Sequence, residues 1–277
     1  MRWAYVMESN NKNKTSLTDN GCHFLNSEIT EVETKTNEQE MASRDGVLAG
    51  SNTFGSFELS LNFHYDGGID SKDLMLFTEK IKKLIHVRDI MYVVHSDMPG
   101  RKYSFNSAKV EWEILTTGDL NFTITFNCFK GYSESLLDTS EFSLDKADKW
   151  QFEGGRLTDS NIKYKHTSTT FKIYNGSTDI INPSLGYELL IKINIEAPNG
   201  FKIINHTTGD IFEYKNPIKK GTRLTIDGVH PIVNNKRVGI DTNWEWINLD
   251  KGYNDIEITG SGLGSLTIEF AFNFVYR

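Results

Sequence analysis

The sequence has little of what marks most enzymes, membrane proteins and secreted modules. There are 2 cysteines and 5 prolines in 277 residues. Cys22 and Cys128 lie far apart, so neither a CxxC metal site nor a disulfide-rich scaffold is readable, and reduced thiols in a cytoplasmically made protein are expected. No stretch approaches the roughly 18 apolar residues a membrane-spanning helix needs. The apolar part of MRWAYVMESNNKNK is too short for a signal peptide. HExxH, GxSxG and P-loop patterns are missing, and no two of the 7 histidines stand at i+2 or i+4, so a zinc site has no support. Gly260-Ser261-Gly262-Leu263-Gly264 is glycine-rich but leads into a strand pattern. The helix N-terminus that would make such a loop bind phosphate is lacking, and a flexible turn is expected. Positive charge is also short: 30 Lys and Arg against 37 Asp and Glu give −7. That balance disfavours tight nucleic-acid binding while permitting a passage through which DNA slides.

What is present is strand material. Hydrophobic residues make up 38% and aromatics 12%, with 22 glycines and abundant Asn, Thr and Ser. This is the composition of many strands joined by turns. Asn20-Gly21 and Asp45-Gly46 are turn signals in the polar first fifty residues. Phe57, Leu59, Leu61, Phe63 and Tyr65 then alternate with polar residues, which predicts a strand with one buried face. The period changes after Gly68. Leu74, Phe77, Ile81, Leu84 and Ile85 recur at three and four, with Lys80, Lys82 and Lys83 mostly opposite, predicting a helix over about 71–87 with Ser71 as N-cap. Its lysines read as a solvated face in preference to a nucleic-acid patch.

DIMYVVHS is the next strand, followed by a long hairpin. Its first arm buries Ala108, Val110, Trp112 and Ile114, and its second Phe122, Ile124, Phe126 and Cys128. Alternation is lost across 131–150, which places a boundary near 140. Beyond it, strands recur without helices. Asn175-Gly176 reads as a hairpin turn, Tyr187 to Ile195 as an apolar stripe, and Thr208-Gly209 as a second hairpin turn. TRLTI, KRVGI and NDIEI read as short strands, and Leu266 to Tyr276 as a closing aromatic strand, together indicating a β-sandwich or jelly roll.

Chemistry is hard to find. Glu58, Glu111, Glu113, Glu188 and Glu269 fall on solvent-facing strand positions, so a glycosidase carboxylate pair has no support, and no catalytic, cofactor-binding or metal-ligating residue can be assigned. The expectation is a non-enzyme without cofactor. DTNWEWINLDKGYNDIEITG is the one suggestive stretch. In an extended strand Trp244 and Trp246 share a face with Asn248, while Ile247 and Leu249 take the core side. Intrachain packing, a protein–protein contact and glycan stacking all remain open for the two indoles.

The order of elements resembles a known family. The Ser-Arg-Asp-Gly turn at 43–46, the strand FELSLNF, the helix DLMLFTEKIKKLI, the strand IMYVVHS, the Pro-Gly-Arg turn with Tyr103 and the hairpin ending FKGYSES follow the N-terminal domain of siphophage distal tail proteins. FKIYNGSTDIINPSLGYELLI and NLDKGYNDIEITG are similar to segments of that family's C-terminal domain. The resemblance spans roughly 16–277 and departs at the start, where the family's apolar opening strand is weakly represented.

It implies a mainly β fold. Residues 1–140 would be a ring-forming antiparallel β domain with one helix, and 141–277 a galectin-like β-sandwich. By implication the protein is a structural virion component of the tail tip, assembled in the host cytoplasm. Six copies would ring a DNA channel, with DNA passing through unbound and no membrane involved. Tube protein, tail-associated or tip protein, and receptor-binding or baseplate proteins would be the partners. The alternative is a carbohydrate-binding β-sandwich recognising host cell-wall glycans, with a hydrolase as a third and poorer reading.

Overall fold

The computed structural model describes residues 2–8, 13–42, 45–143, 150 and 162–277. By contact density the chain divides into two compact units, Met1–Glu134 with Arg277, and Ser135–Tyr276.

The first unit opens with β1 (Ala4–Glu8), β2 (Lys14–Ser16) and β3 (Cys22–Ile29). Ala4, Val6 and Met7 are buried, and β1 pairs with β2 on one side and β9 (Met91–His95) on the other. The weakly apolar opening is therefore a strand after all. A central strand packed on both faces shows a short apolar run in place of alternation. Asn20 and Gly21, at φ 57° and 81°, make the expected left-handed turn into β3.

Residues 30–42 and 45–56 form an exposed arm outside the larger sheets. The strands β4 (Thr34–Lys35) and β7 (Thr53–Phe54) pair, and beyond them β5 (Glu38–Glu40) pairs with β6 (Val47–Ala49). Each makes a two-stranded sheet of its own. Gly46 adopts φ 81° at the tip, where the Asp-Gly signal stands; Ser43 and Arg44 of that turn lie outside the described residues.

The strand β8 (Phe57–Tyr65) buries the predicted stripe, and β10 (Arg101–Phe105), β11 (Ser107–Ile114) and β12 (Leu120–Cys128) follow α1 (Ser71–Ile85) and β9. One sheet runs β11-β12-β8-β3, and another begins β2-β1-β9-β10. Phe63 stacks on Phe122 at 4.9 Å across the β8–β12 pair. The edge strand β11 hides its apolar side less than expected: Ala108, Val110 and Trp112 are half-buried and Ile114 is 71% exposed.

The helix differs at both ends from the sequence expectation. Its N-cap is Asp70, not Ser71: the Asp70 carboxylate accepts from the amides of Lys72 at 2.8 Å and Asp73 at 3.0 Å. A charged side chain answers the positive helix end better than a hydroxyl one position too late. The last turn stops at Ile85, because His86 has left helical geometry. Leu74, Phe77, Ile81 and Ile85 face the core.

A short strand, β13 (Ser133–Ser135), precedes the second unit, which is a two-sheet sandwich. Its strands are β14 (Lys165–His166), β15 (Thr170–Asn175), β16 (Leu190–Ile195), β17 (Phe201–Asn205) and β18 (Asp210–Tyr214). Then come β19 (Arg223–Asp227), β20 (His230–Val233), β21 (Lys236–Arg237), β22 (Gly252–Thr259) and β23 (Leu266–Ala271). The orders are β14-β23-β16-β19-β20-β21 and β15-β22-β17-β18. Phe171 of one sheet meets Phe270 of the other at 6.1 Å.

Thr208-Gly209 turns the β17–β18 hairpin as expected. Asn175-Gly176 does not turn a hairpin, since β15 pairs with β22 and the chain leaves for the other sheet. Asn175 is buried, donating to the carbonyls of Asp179 and Leu249 and accepting from the Ser177 amide, so its side chain fixes a crossover. KRVGI keeps only Lys236–Arg237 as strand before a 3-10 turn, Gly239–Asp241. The closing aromatic residues are all buried, although β23 ends at Ala271 and strand structure resumes only at β24 (Val275–Tyr276).

Candidate functional site

The two tryptophans do not lie on an extended strand. Trp244 adopts φ 63°, a left-handed conformation that a bulky residue rarely takes, and its indole is 70% exposed. Trp246 is half-buried, while Ile247 and Leu249 are buried as expected. One left-handed residue breaks the alternation, so the two indoles form no shared flat face.

The loop is nonetheless held firmly. Thr242 Oγ1 accepts from the Trp244 amide at 3.2 Å, and Asn243 accepts from the Glu213 amide and donates to the Ile211 carbonyl. Farther along, Asn205 donates to the Asn248 carbonyl at 2.7 Å and Asp210 accepts from the Asn248 amide at 2.9 Å. A Cβ at Gly239 would stand 3.1 Å from the indole edge, so glycine there leaves room for the ring. The result is a large aromatic side chain presented to solvent by a rigid, strained loop.

The titratable groups serve packing. Among the described residues no group of three or more His, Cys, Asp or Glu could hold a metal ion. His95 is fully buried against Phe24 and Tyr103, neither ring nitrogen has a hydrogen-bond partner, and burial lowers its pKa to about 4. Cys22 and Cys128 are buried in the first core, which pushes both thiols up to about 12 and leaves them inert. Lys130 and Glu134 form a buried pair at 2.7 Å beside the Tyr92 hydroxyl. Of the five solvent-side acids, Glu58, Glu111, Glu113 and Glu188 are exposed, and Glu269 pairs with Lys192 at 3.3 Å. The glycine-rich loop at 260–264 is a turn between β22 and β23, with Gly262 at φ 73°.

The first unit carries two exposed apolar features that the sequence did not announce. An open groove of about 650 Å³ lies between α1 and the β11–β12 hairpin, lined by Leu74, Met75, Trp112, Ile114, Leu115 and Leu120. Met75 on its rim is 68% exposed. The arm exposes Met41, Val47 and Leu48 near its tip. The signal was present: alternation places Ile114 inward, but β11 is an edge strand, and among the described residues no further strand flanks it.

Comparison with known proteins agrees with this architecture. Residues 12–128 match the family model of the phage tail protein RIFT-related domain. The Dit protein of phage SPP1, described as a paradigm of the hub adsorption apparatus in Gram-positive infecting phages, shares 15% identity. It aligns over 98% of this chain and 99% of its own, with a TM-score of 0.66. Chains of the phage P2 baseplate in its activated conformation, with Ca and with Sr, share 10% identity at TM-scores of 0.44 and 0.43. Those alignments cover 98% and 99% of this chain and 98% of each P2 chain. No curated protein matches by sequence. Residues 12–128 thus match the phage tail protein RIFT-related domain family model, and the chain across its length shares the fold of the SPP1 Dit protein.

Proposed function

We propose that this protein is the hub of a siphophage tail tip: six copies close into a ring that joins the tail tube to the tip or baseplate. DNA passes through the opening without specific binding. The observation that carries the reading is a phage-tail domain at 12–128 within a chain whose fold matches the SPP1 Dit protein nearly end to end. A net charge of −7 suits a passage that must not hold DNA. The partners in this role are the tube protein, the tail-associated protein and the peripheral receptor-binding or baseplate proteins, met during assembly in the host cytoplasm. Light scattering with negative-stain imaging of the purified protein tests it. Hexameric rings, present at once or on concentration, are expected. A strictly monomeric particle at high concentration overturns it.

A second reading has its own observation. Trp244, held outward at 70% exposure by a strained loop, suits stacking on a host cell-wall sugar. Titration with wall glycans is expected to quench tryptophan fluorescence in the wild type and leave Trp244→Ala unchanged. A flat wild-type titration removes this reading.

A further inference from the structure

We propose that the arm of one copy docks in the α1–hairpin groove of the next, making a head-to-tail contact between identical chains. This rests on the ring reading above and supplies the contact that closes it.

The arm is the first reason. Among the described residues the strands of each of its two ladders pair only with one another, and the ladders extend roughly 20 Å at about 3.3 Å per residue. An isolated two-stranded hairpin is marginal in water. This one also exposes Met41, Val47 and Leu48, so it gains stability when a surface covers it. The groove is the second reason. Leu74 and Leu120 form its buried floor, and Met75, Ile114 and Leu115 stand exposed around it, an apolar depression with no occupant among the described residues of its own unit. One feature protrudes and the other receives, on the same chain. Such a pair of unlike patches generates head-to-tail assembly, which becomes a ring where the rotation between copies closes, rather than a two-fold dimer.

Charge chooses the occupant. Residues 30–56 hold Glu31, Glu33, Glu38, Glu40 and Asp45 against Lys35 and Arg44. The helix flanking the groove holds Lys72, Lys80, Lys82 and Lys83 against Asp73 and Glu79, an excess of two positive charges, and Lys82, paired with Glu79 at 3.0 Å, stands on the groove wall itself. An acidic apolar arm thus meets a lysine-bearing apolar groove. Complementary potentials of this kind set partner choice and register. Lys82, read from sequence as part of a solvated face, becomes part of the rim of an interface.

The test uses the full chain. Leu48→Asp on the arm and Ile114→Asp on the groove change exposed residues, so both variants fold, and circular dichroism confirms it. Each is expected to raise the concentration at which rings form by on the order of a hundredfold, since it places an unpaired carboxylate in an apolar contact. In a second measurement, chains carrying Leu48→Cys are mixed with chains carrying Ile114→Cys and treated with a short bismaleimide. A covalent dimer that forms in the mixture far faster than in either protein alone is expected. If both aspartate variants assemble like the wild type, the arm–groove contact is wrong while the ring stands. Cross-linking within one diluted chain carrying both cysteines shows the arm in its own groove and also overturns the contact. A wild type that never assembles overturns contact and ring together.

Discussion

Tyr65 on β8 and Phe77 on α1 stack face to face, with ring centroids 3.8 Å apart and planes 10° apart. Phe77 also meets Phe122 edge-on at 5.5 Å, so one ring ties the helix to two adjacent strands. Truncating it should be expensive. Phe77→Ala is expected to destabilise the first unit by about 3 kcal/mol, read as a lower urea midpoint at unchanged slope. Because α1 is one wall of the groove, ring formation should weaken as well. A loss below about 1 kcal/mol would mean the helix is held elsewhere.

His95 makes a pH prediction. Burial lowers its folded pKa from 6.5 to about 4, opposed in part by the charge of Asp97. The unfolded chain therefore takes up the proton first. The stabilising contribution of neutral His95 is complete above pH 6.5, falls as the pH drops from 6.5 to 4, and is flat below. The full loss is on the order of 3 kcal/mol at about 1.4 kcal/mol per pKa unit. Urea titrations of wild type and His95→Phe at pH 7.5 and pH 4.5 check it. The wild type should lose more stability between those values than the variant, and parallel losses would contradict the assignment.

Asn254 is the buried knot of the second unit's loops. Its Oδ1 accepts from the Asp250 amide at 2.8 Å and from Asn205 at 3.0 Å, and its Nδ2 donates to the Asp250 carbonyl at 2.8 Å. Asn254→Leu leaves buried donors unmet and is expected to cost about 2 to 3 kcal/mol. Amide exchange across 245–250 should quicken beyond the rest of the unit. An unchanged melting temperature would show the network to be dispensable.

Trp244 separates presentation from packing. A glycine accepts φ 63° without strain, so Trp244→Gly is expected to leave Tm unchanged or raise stability by up to about 1 kcal/mol. Any glycan or partner contact made by the indole should vanish in the same variant. If thermal unfolding shows a loss above 1 kcal/mol, the ring is a packing residue and the contact reading fails.

Much of the fold was legible because period is a local signal. Phe57 to Tyr65, Phe122 to Cys128 and Leu74 to Ile85 report a buried face without knowledge of what buries it. What the sequence hid was set by distant partners. Ala4 to Met7 is a strand because β2 and β9 flank it, and Ile114 is exposed because β11 is the edge strand of its sheet among the described residues. Trp244 is left-handed because Asn243, Asn205 and Asp210 fasten its loop to β17 and β18. The nearest clue was the density of Asn and Asp from Asp241 to Asp255, a turn-forming composition at odds with an extended strand. The arm was half legible. Asp45-Gly46 announced its tip, while ETKTNEQE, without a large apolar residue, signalled a ladder with no core beneath it.

The quiet thiols of Cys22 and Cys128 have a practical side. A dye or spin label directed at sulfhydryls finds no native target on the folded chain, so every attached probe reports from the position chosen for it. Distances between copies in the proposed ring can then be followed spectroscopically on the otherwise natural sequence.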